Sequence, residues 1–191
     1  VLAINGSARR NGNTALMIGY LFEELQAEEI TTEMIQLAGE HPHGCIACYQ
    51  CFKNKNNRCV VDLDCLNGCI EKMIAADAII LASPTYFADV TSEMKALIDR
   101  AGMVARANGD LFRRKPGAAI VTRRRPGQPA WRVGRFWEAD AWWVNGSRIS
   151  VLADGNLRVM PGRPQEHTLT LRLHEVHRPA AVSTLLASRG P

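Results

Sequence analysis

Three short apolar runs, each breaking off abruptly into small or polar residues, decide most of what this chain can become. Val1–Ile4 stops at Asn5-Gly6-Ser7, Ala78–Ala82 at Ser83-Pro84-Thr85, and Ala118–Thr122 at three consecutive arginines. A continuous apolar run with no polar alternation suits a strand that is covered on both faces. The segments between them carry a helical period. Behind Asn13-Thr14, which can cap a helix, Ala15, Ile18, Leu21, Phe22 and Leu25 recur at helical spacing, with Glu23, Glu24, Glu28 and Glu29 turned outward. Thr31–Leu37 reads as a further strand, residues from about Asp64 to Ala76 as a second helix, and the stretch through Met94, Leu97 and Ile98 as a third. Strands alternating with helices predict an α/β fold. The sheet is expected to be doubly wound and parallel, with order 2-1-3-4 and a fifth strand left open, and with ligands at the carboxyl ends of its strands.

The chain has 191 residues, 47% of them hydrophobic and 22% charged, which fits a globular chain with a sizeable core. No uncharged apolar run approaches the ~18 residues of a membrane span. No basic-then-apolar leader precedes the first strand, although the sequence opens at Val1, so the expected location is cytoplasmic with no membrane partner. Residues 1–115 carry 5 Lys and 7 Arg against 14 Asp and Glu, net −2; residues 116–191 carry 11 Arg, no Lys and 5 acidic residues, net +6. These arginines are scattered among Pro and Gly and follow no helix face, so nucleic-acid binding is not expected.

Two loops can carry chemistry. Asn5-Gly6-Ser7-Ala8-Arg9-Arg10-Asn11-Gly12-Asn13-Thr14 joins the first strand to the first helix, with small residues, hydroxyls and a helix N-terminus that together suit a terminal phosphate. Its spacing matches neither the P-loop nor the dinucleotide fingerprint; an ordinary strand–helix turn is the plain alternative. Ser83-Pro84-Thr85-Tyr86-Phe87 occupies the equivalent place after the third strand, Ala78–Ala82, where two aromatics beside backbone amides can border a flat heteroaromatic ring.

The two loops together resemble the flavodoxin-like NADPH-dependent FMN reductase and iron–sulfur flavoprotein family. That family shows a G-S-x-R-x-x-[GS]-N-T loop, here Gly6–Thr14, and an S-P-x-Y-F loop followed by a helix ending Leu97-Ile98-Asp99-Arg100. The resemblance covers roughly residues 1–125. It implies that Ser7, Arg9, Asn13 and Thr14 hold the FMN phosphate and that Pro84, Thr85, Tyr86 and Phe87 lie along the isoalloxazine ring. Arg123, with Thr122 and Arg124, would belong to a third flavin loop. It also implies NAD(P)H as co-substrate, a small-molecule or protein electron acceptor, and a homodimer or higher homo-oligomer. No side chain is required as a catalytic acid or base, because the flavin performs the redox chemistry.

All six cysteines, at 45, 48, 51, 59, 65 and 69, fall within 25 residues. Such a local group favours metal or redox chemistry over a disulfide framework. Cys45, Cys48 and Cys51 at three-residue intervals can wrap one face of a cubane, with Cys59 arriving from a short loop. This is similar to the compact motif of iron–sulfur flavoproteins and implies a [4Fe–4S] centre. Tetrahedral zinc and plain thiols without metal remain open. Cys65 and Cys69, one helical turn apart, read as core residues or redox spares. His41 and His43 read as exposed, Asp62 and Asp64 as preceding and capping a helix, and Glu71 and Lys72 as its solvated face.

Residues 1–126 therefore read as one FMN-binding domain with a Cys-rich insert at 41–60, and 127–191 as an atypical tail rich in Arg, Pro and Trp. In the tail, Ser147–Ala153 and His167–Val176 alternate like strands, and Ala180–Ser188 suits a short helix. A reading-frame shift around Arg123–Pro126 would produce so abrupt a change and would leave the sheet without an edge strand; a divergent β-rich extension is the alternative. The expected activity is FMN-dependent electron transfer from NAD(P)H, with a non-enzymatic FMN/iron–sulfur electron carrier or a metal-binding thiol module as the other readings.

Overall fold

A computed structural model of the chain describes residues 1–87 and 89–122 and, beyond them, the backbone of four strand segments, 148–152, 157–160, 170–171 and 185–186. The first strand, β1 (Leu2–Asn5), leads into α1 (Asn13–Ala27) and the edge strand β2 (Glu33–Gln36). A mostly irregular stretch holding the short helix α2 (Gln50–Asn54) follows, then α3 (Leu66–Ala75), β3 (Ile79–Pro84), α4 (Ser92–Ala107) and β4 (Gly117–Thr122). β5 (Arg148–Leu152) and β6 (Leu157–Met160) extend the sheet, and β7 (Thr170–Leu171) pairs with β8 (Leu185–Leu186) apart from it.

The sheet order is β2-β1-β3-β4-β5-β6, parallel through β5 and antiparallel at β6. The predicted 2-1-3-4 order is present. Within the expected Ser147–Ala153, Arg148–Leu152 is extended and pairs with β4 as the fifth strand. Ala180–Ser188 departs from expectation: Leu185–Leu186 is extended and pairs with β7 rather than forming a helix.

Alternate residues of each buried strand feed opposite layers, as the pleat requires. Leu2, Ile4, Ile79 and Leu81 pack under Ile70 and Met73 of α3 and Met94, Leu97, Ala101 and Val104 of α4. Ala3, Ile80, Ala82 and Ile120 face α1, where Ile18 is buried and Met17, Leu21, Phe22 and Leu25 are half-buried. Each large aliphatic side chain buried this way contributes about 1.5–3 kcal/mol. Edge strand β2 is more exposed, and its Glu33 pairs with Lys72 of α3, a charged device that discourages edge-to-edge pairing.

The helix starts differ from the simplest reading. Gly12, not Asn13-Thr14, is the N-cap of α1, and no side chain caps it. At α4 the N-cap Thr91 accepts from the Met94 N–H at 3.3 Å, while its own hydroxyl donates to the Gly6 carbonyl at 2.7 Å. One hydroxyl thus ends the β1 loop and begins α4.

Candidate functional site

The carboxyl ends of β1, β3 and β4 lie side by side, with Asn5 opposite Ala82 and Pro84 opposite Thr122. The loop after β1 is held from beneath. Buried Asn5 accepts the Ser7 N–H through Oδ1 at 3.0 Å and donates from Nδ2 to Gln36 Oε1 at 2.8 Å. Gln36 in turn donates to the Ser7 carbonyl at 2.7 Å. The buried Ser7 hydroxyl accepts from the Arg9 N–H at 3.1 Å, which leaves its own hydrogen for another acceptor.

Space for this turn depends on Gly6. A Cβ there would come within 2.9 Å of Met94 Cβ and 3.1 Å of Thr91 Oγ1. Above it, α1 opens with no capping side chain and no acidic residue in its first turn. Its first N–H groups have no intrahelical acceptor, and the helix dipole concentrates positive potential there. Arg9 and Asn13 stand exposed beside this turn. Uncapped N–H groups, a free hydroxyl hydrogen and no nearby carboxylate in the helix's first turn fit the phosphate of FMN.

Thr14 takes a different position. Its buried hydroxyl pairs with Thr122 Oγ1 at 2.8 Å, so it braces α1 against the end of β4. Thr85 N–H donates to the Thr122 carbonyl at 2.8 Å, extending the ladder past β4. Tyr86 closes the arrangement: its hydroxyl accepts from the Ala8 N–H at 3.1 Å, joining the two loops. Both aromatic rings remain available, Tyr86 half-exposed and Phe87 94% exposed, while Pro84 is half-buried. The structure therefore brings the turn from Ser7 to Thr14 and the turn from Pro84 to Phe87 together at the ends of β1, β3 and β4, joined by Ala8–Tyr86, with Thr14 held against β4 and with Arg9, Asn13 and Phe87 exposed on those turns. Arg123 and Arg124 lie outside the described residues.

On the other side of the sheet, Cys45, Cys48, Cys51 and Cys59 line a single small hollow, together with Ile46, Tyr49, Val60, Arg100, Met103 and Val104. Ala47 and Tyr49, between the first three cysteines, have φ of 52° and 55°. Non-glycine residues pay for that left-handed geometry, and here it winds the chain around the hollow. Asn67 of α3 fixes the fourth cysteine by accepting the Cys59 N–H at 2.8 Å and donating to its carbonyl at 2.9 Å. Burial pushes the Cys51 thiol up, reinforced by Cys59 and Cys45 nearby, against the lowering effect of local backbone N–H groups. Among the described residues no three His, Cys, Asp or Glu side chains form a ready metal-ion site. Four cysteines lining one hollow are a donor set that fits an iron–sulfur cluster or a tetrahedral ion.

Cys65 and Cys69 stay outside this group. Cys69 is buried in the core, where burial, with Cys65 beside it, pushes its thiol up to about 12. Glu71 and Lys72 are exposed as expected. Cys65, not Asp64, is the N-cap of α3; Asp64 lies just before it, its Oδ1 accepting the Leu66 N–H at 3.0 Å and its Oδ2 pairing with the fully buried guanidinium of Arg100. The same guanidinium donates to the carbonyls of Val61 and His43, so α4 ties down both flanks of the Cys loop. Sequence reasoning gave no role to Asn5, Gln36, Thr91 or Arg100. The only signal for Arg100 was its place at the end of the Leu97-Ile98-Asp99-Arg100 motif.

Comparison with known proteins places the chain among flavoproteins. An iron–sulfur flavoprotein of Methanocaldococcus jannaschii is 36% identical over 121 residues, 63% of this chain and 60% of that protein. An iron–sulfur flavoprotein of Methanosarcina thermophila is 34% identical over 120 residues, 63% of this chain and 61% of that protein. The chain thus spans about three fifths of the length of these relatives. Among solved structures, RosB with a bound formylriboflavin phosphate superposes with a TM-score of 0.53 at 17% identity, covering 79% of this chain and 64% of that one. An NADH:FMN oxidoreductase superposes with a TM-score of 0.52 at 16% identity, covering 79% and 74%. These two matches establish the flavodoxin-like fold. The model of the NADPH-dependent FMN reductase family matches residues 1–130, and the chain belongs to that family.

Proposed function

We propose that this protein binds FMN at the mouth formed by the turns after β1 and β3 and serves as an oxidoreductase, moving electrons from NAD(P)H to a small-molecule or protein acceptor. The observation that carries this reading is the Ala8–Tyr86 hydrogen bond, which fixes an aromatic-bearing loop beside the uncapped start of α1. A phosphate receptor and a platform for a flat ring are thereby held in one rigid unit. Ser7, Arg9 and Asn13 would hold the phosphate, and Pro84, Thr85, Tyr86 and Phe87 would border the ring. Arg123 is proposed for the ring from the family motif alone. Bound FMN supplies hydride and single-electron chemistry; the protein orients it and controls access.

Cys45, Cys48, Cys51 and Cys59 would hold a [4Fe–4S] cluster as electron relay, supported by their shared hollow. Tyr86 and Phe87 leave apolar surface beside the mouth, which supports a homodimer with the flavin near its interface. Among the described residues no helix is long and apolar enough to cross a membrane.

The test is anaerobic purification of the full chain with added FMN, followed by NADPH and NADH. Bleaching of the bound flavin by either nucleotide is the expected result. Bleaching only with a reduced ferredoxin-type protein would identify an electron carrier instead. Failure to take up FMN would overturn the reading.

A further inference from the structure

The guanidinium of Arg100 is fully buried, and it forms part of the wall of the cysteine hollow. Nη1 is spent on Asp64 and the His43 carbonyl, and Nη2 on the Val61 carbonyl. Nε alone is left over: among the described residues it is the one buried side-chain nitrogen or oxygen with no hydrogen-bond partner. A buried N–H on a charged group is expensive to leave unpaired, so a native chain that keeps one calls for an acceptor. The other wall residues offer that acceptor. Four cysteine sulfurs share the hollow; of the other wall residues, Ile46, Val60, Met103 and Val104 present no oxygen or nitrogen from their side chains, and Tyr49, which carries a hydroxyl, is exposed.

We propose that the Arg100 Nε–H donates a hydrogen bond to a sulfur of the cluster held by Cys45, Cys48, Cys51 and Cys59, and so raises its reduction potential. The inference rests on the iron–sulfur reading above. Reduction places extra negative charge on the cluster sulfurs, so a fixed donor favours the reduced state over the oxidised one. Asp64 has a matching part: it balances the buried positive charge and engages Nη1, leaving Nε without a partner. Arg100 is thus a positioning and tuning residue, not a ligand.

Arg100→Lys is the informative variant, because it keeps a cation for Asp64 and removes Nε–H. The full chain and the variant are reconstituted anaerobically with iron and sulfide, assayed for both, and titrated with dithionite under EPR. Equal loading with a more negative midpoint in the variant is expected, by about tenfold in the reduction equilibrium, which for one electron is ~59 mV. Equal loading with an unchanged midpoint overturns the proposal and leaves the cluster intact. No iron and sulfide in the native chain overturns the cluster reading and this proposal with it. Should the variant fail to fold, native protein labelled with [ε-15N]arginine decides: a 15N hyperfine coupling in the pulsed EPR of the reduced cluster supports the bond, and none overturns it.

Discussion

The hydroxyl of Tyr86 accepts a hydrogen bond from the backbone N–H of Ala8 at 3.1 Å, across 78 positions of sequence. It joins the turn after β1 to the turn after β3 at the mouth of the sheet. Tyr86→Phe keeps the ring and deletes the acceptor. Because the bond is exposed, stability should fall by only about 0.5–1.5 kcal/mol. The Ala8 amide should exchange its hydrogen faster, and FMN should bind more weakly. Amide exchange and fluorescence titration of FMN check both effects.

The Ser7 hydroxyl is buried, accepts from Arg9 N–H and keeps one hydrogen to give away. Ser7→Ala should therefore weaken FMN binding about tenfold, the equivalent of one charge-assisted hydrogen bond of roughly 1.5 kcal/mol. Thr14→Ala should act through packing, loosening α1 from β4 by breaking the Thr122 contact. Its larger effect should be on thermal stability. Calorimetry alongside the titration separates the two roles, and an FMN affinity unmoved by Ser7→Ala would remove the phosphate assignment.

Gly6 has no room for a side chain between Met94 and Thr91. Gly6→Ala should cost about 1–3 kcal/mol, because the nearest atom is Met94 Cβ, which cannot swing away without moving α4. The urea midpoint of the variant measures it. Gly68→Ala, whose Cβ would meet nothing within 4 Å, should be neutral or slightly stabilising within α3.

Burial raises the carboxyl of Asp64, but the N–H groups of His43 and Leu66 and the guanidinium of Arg100 outweigh it, so its pKa lies below the ordinary 3.8. A carboxylate lowered on folding contributes stability above its unfolded pKa, and that stability is lost as pH falls toward its folded value. The native chain should lose urea resistance from about pH 4 downward. Asp64→Asn should be less stable by about 3–5 kcal/mol at neutral pH and show a flatter acid limb, since it strands a buried cation.

Thiol reactivity should sort the cysteines. Cys45 is exposed, whereas Cys69 is buried with a thiol pushed up to about 12. In the metal-free protein at pH 8 iodoacetamide should label Cys45 well before Cys69, as read by mass spectrometry. Cys65→Ala should leave iron uptake unchanged, whereas Cys59→Ala should abolish most of it.

The apolar runs at Val1–Ile4, Ala78–Ala82 and Ala118–Thr122, with the periods of α1, α3 and α4, determined the strands, helices and central sheet order. Hydrophobic period and turn chemistry are local, and both are written in a few consecutive residues. The loops at Gly6–Thr14 and Ser83–Phe87, and the Cys45–Cys59 spacing, were legible for the same reason. Only the tertiary structure decided that Thr91 would serve the β1 loop, that Gln36 would brace Ser7, and that Arg100 would clamp both flanks of the cysteine loop. Those contacts join residues 29 to 85 positions apart. Each depends on which strands become neighbours, and a buried polar side chain finds its partners only once the sheet has excluded water around it.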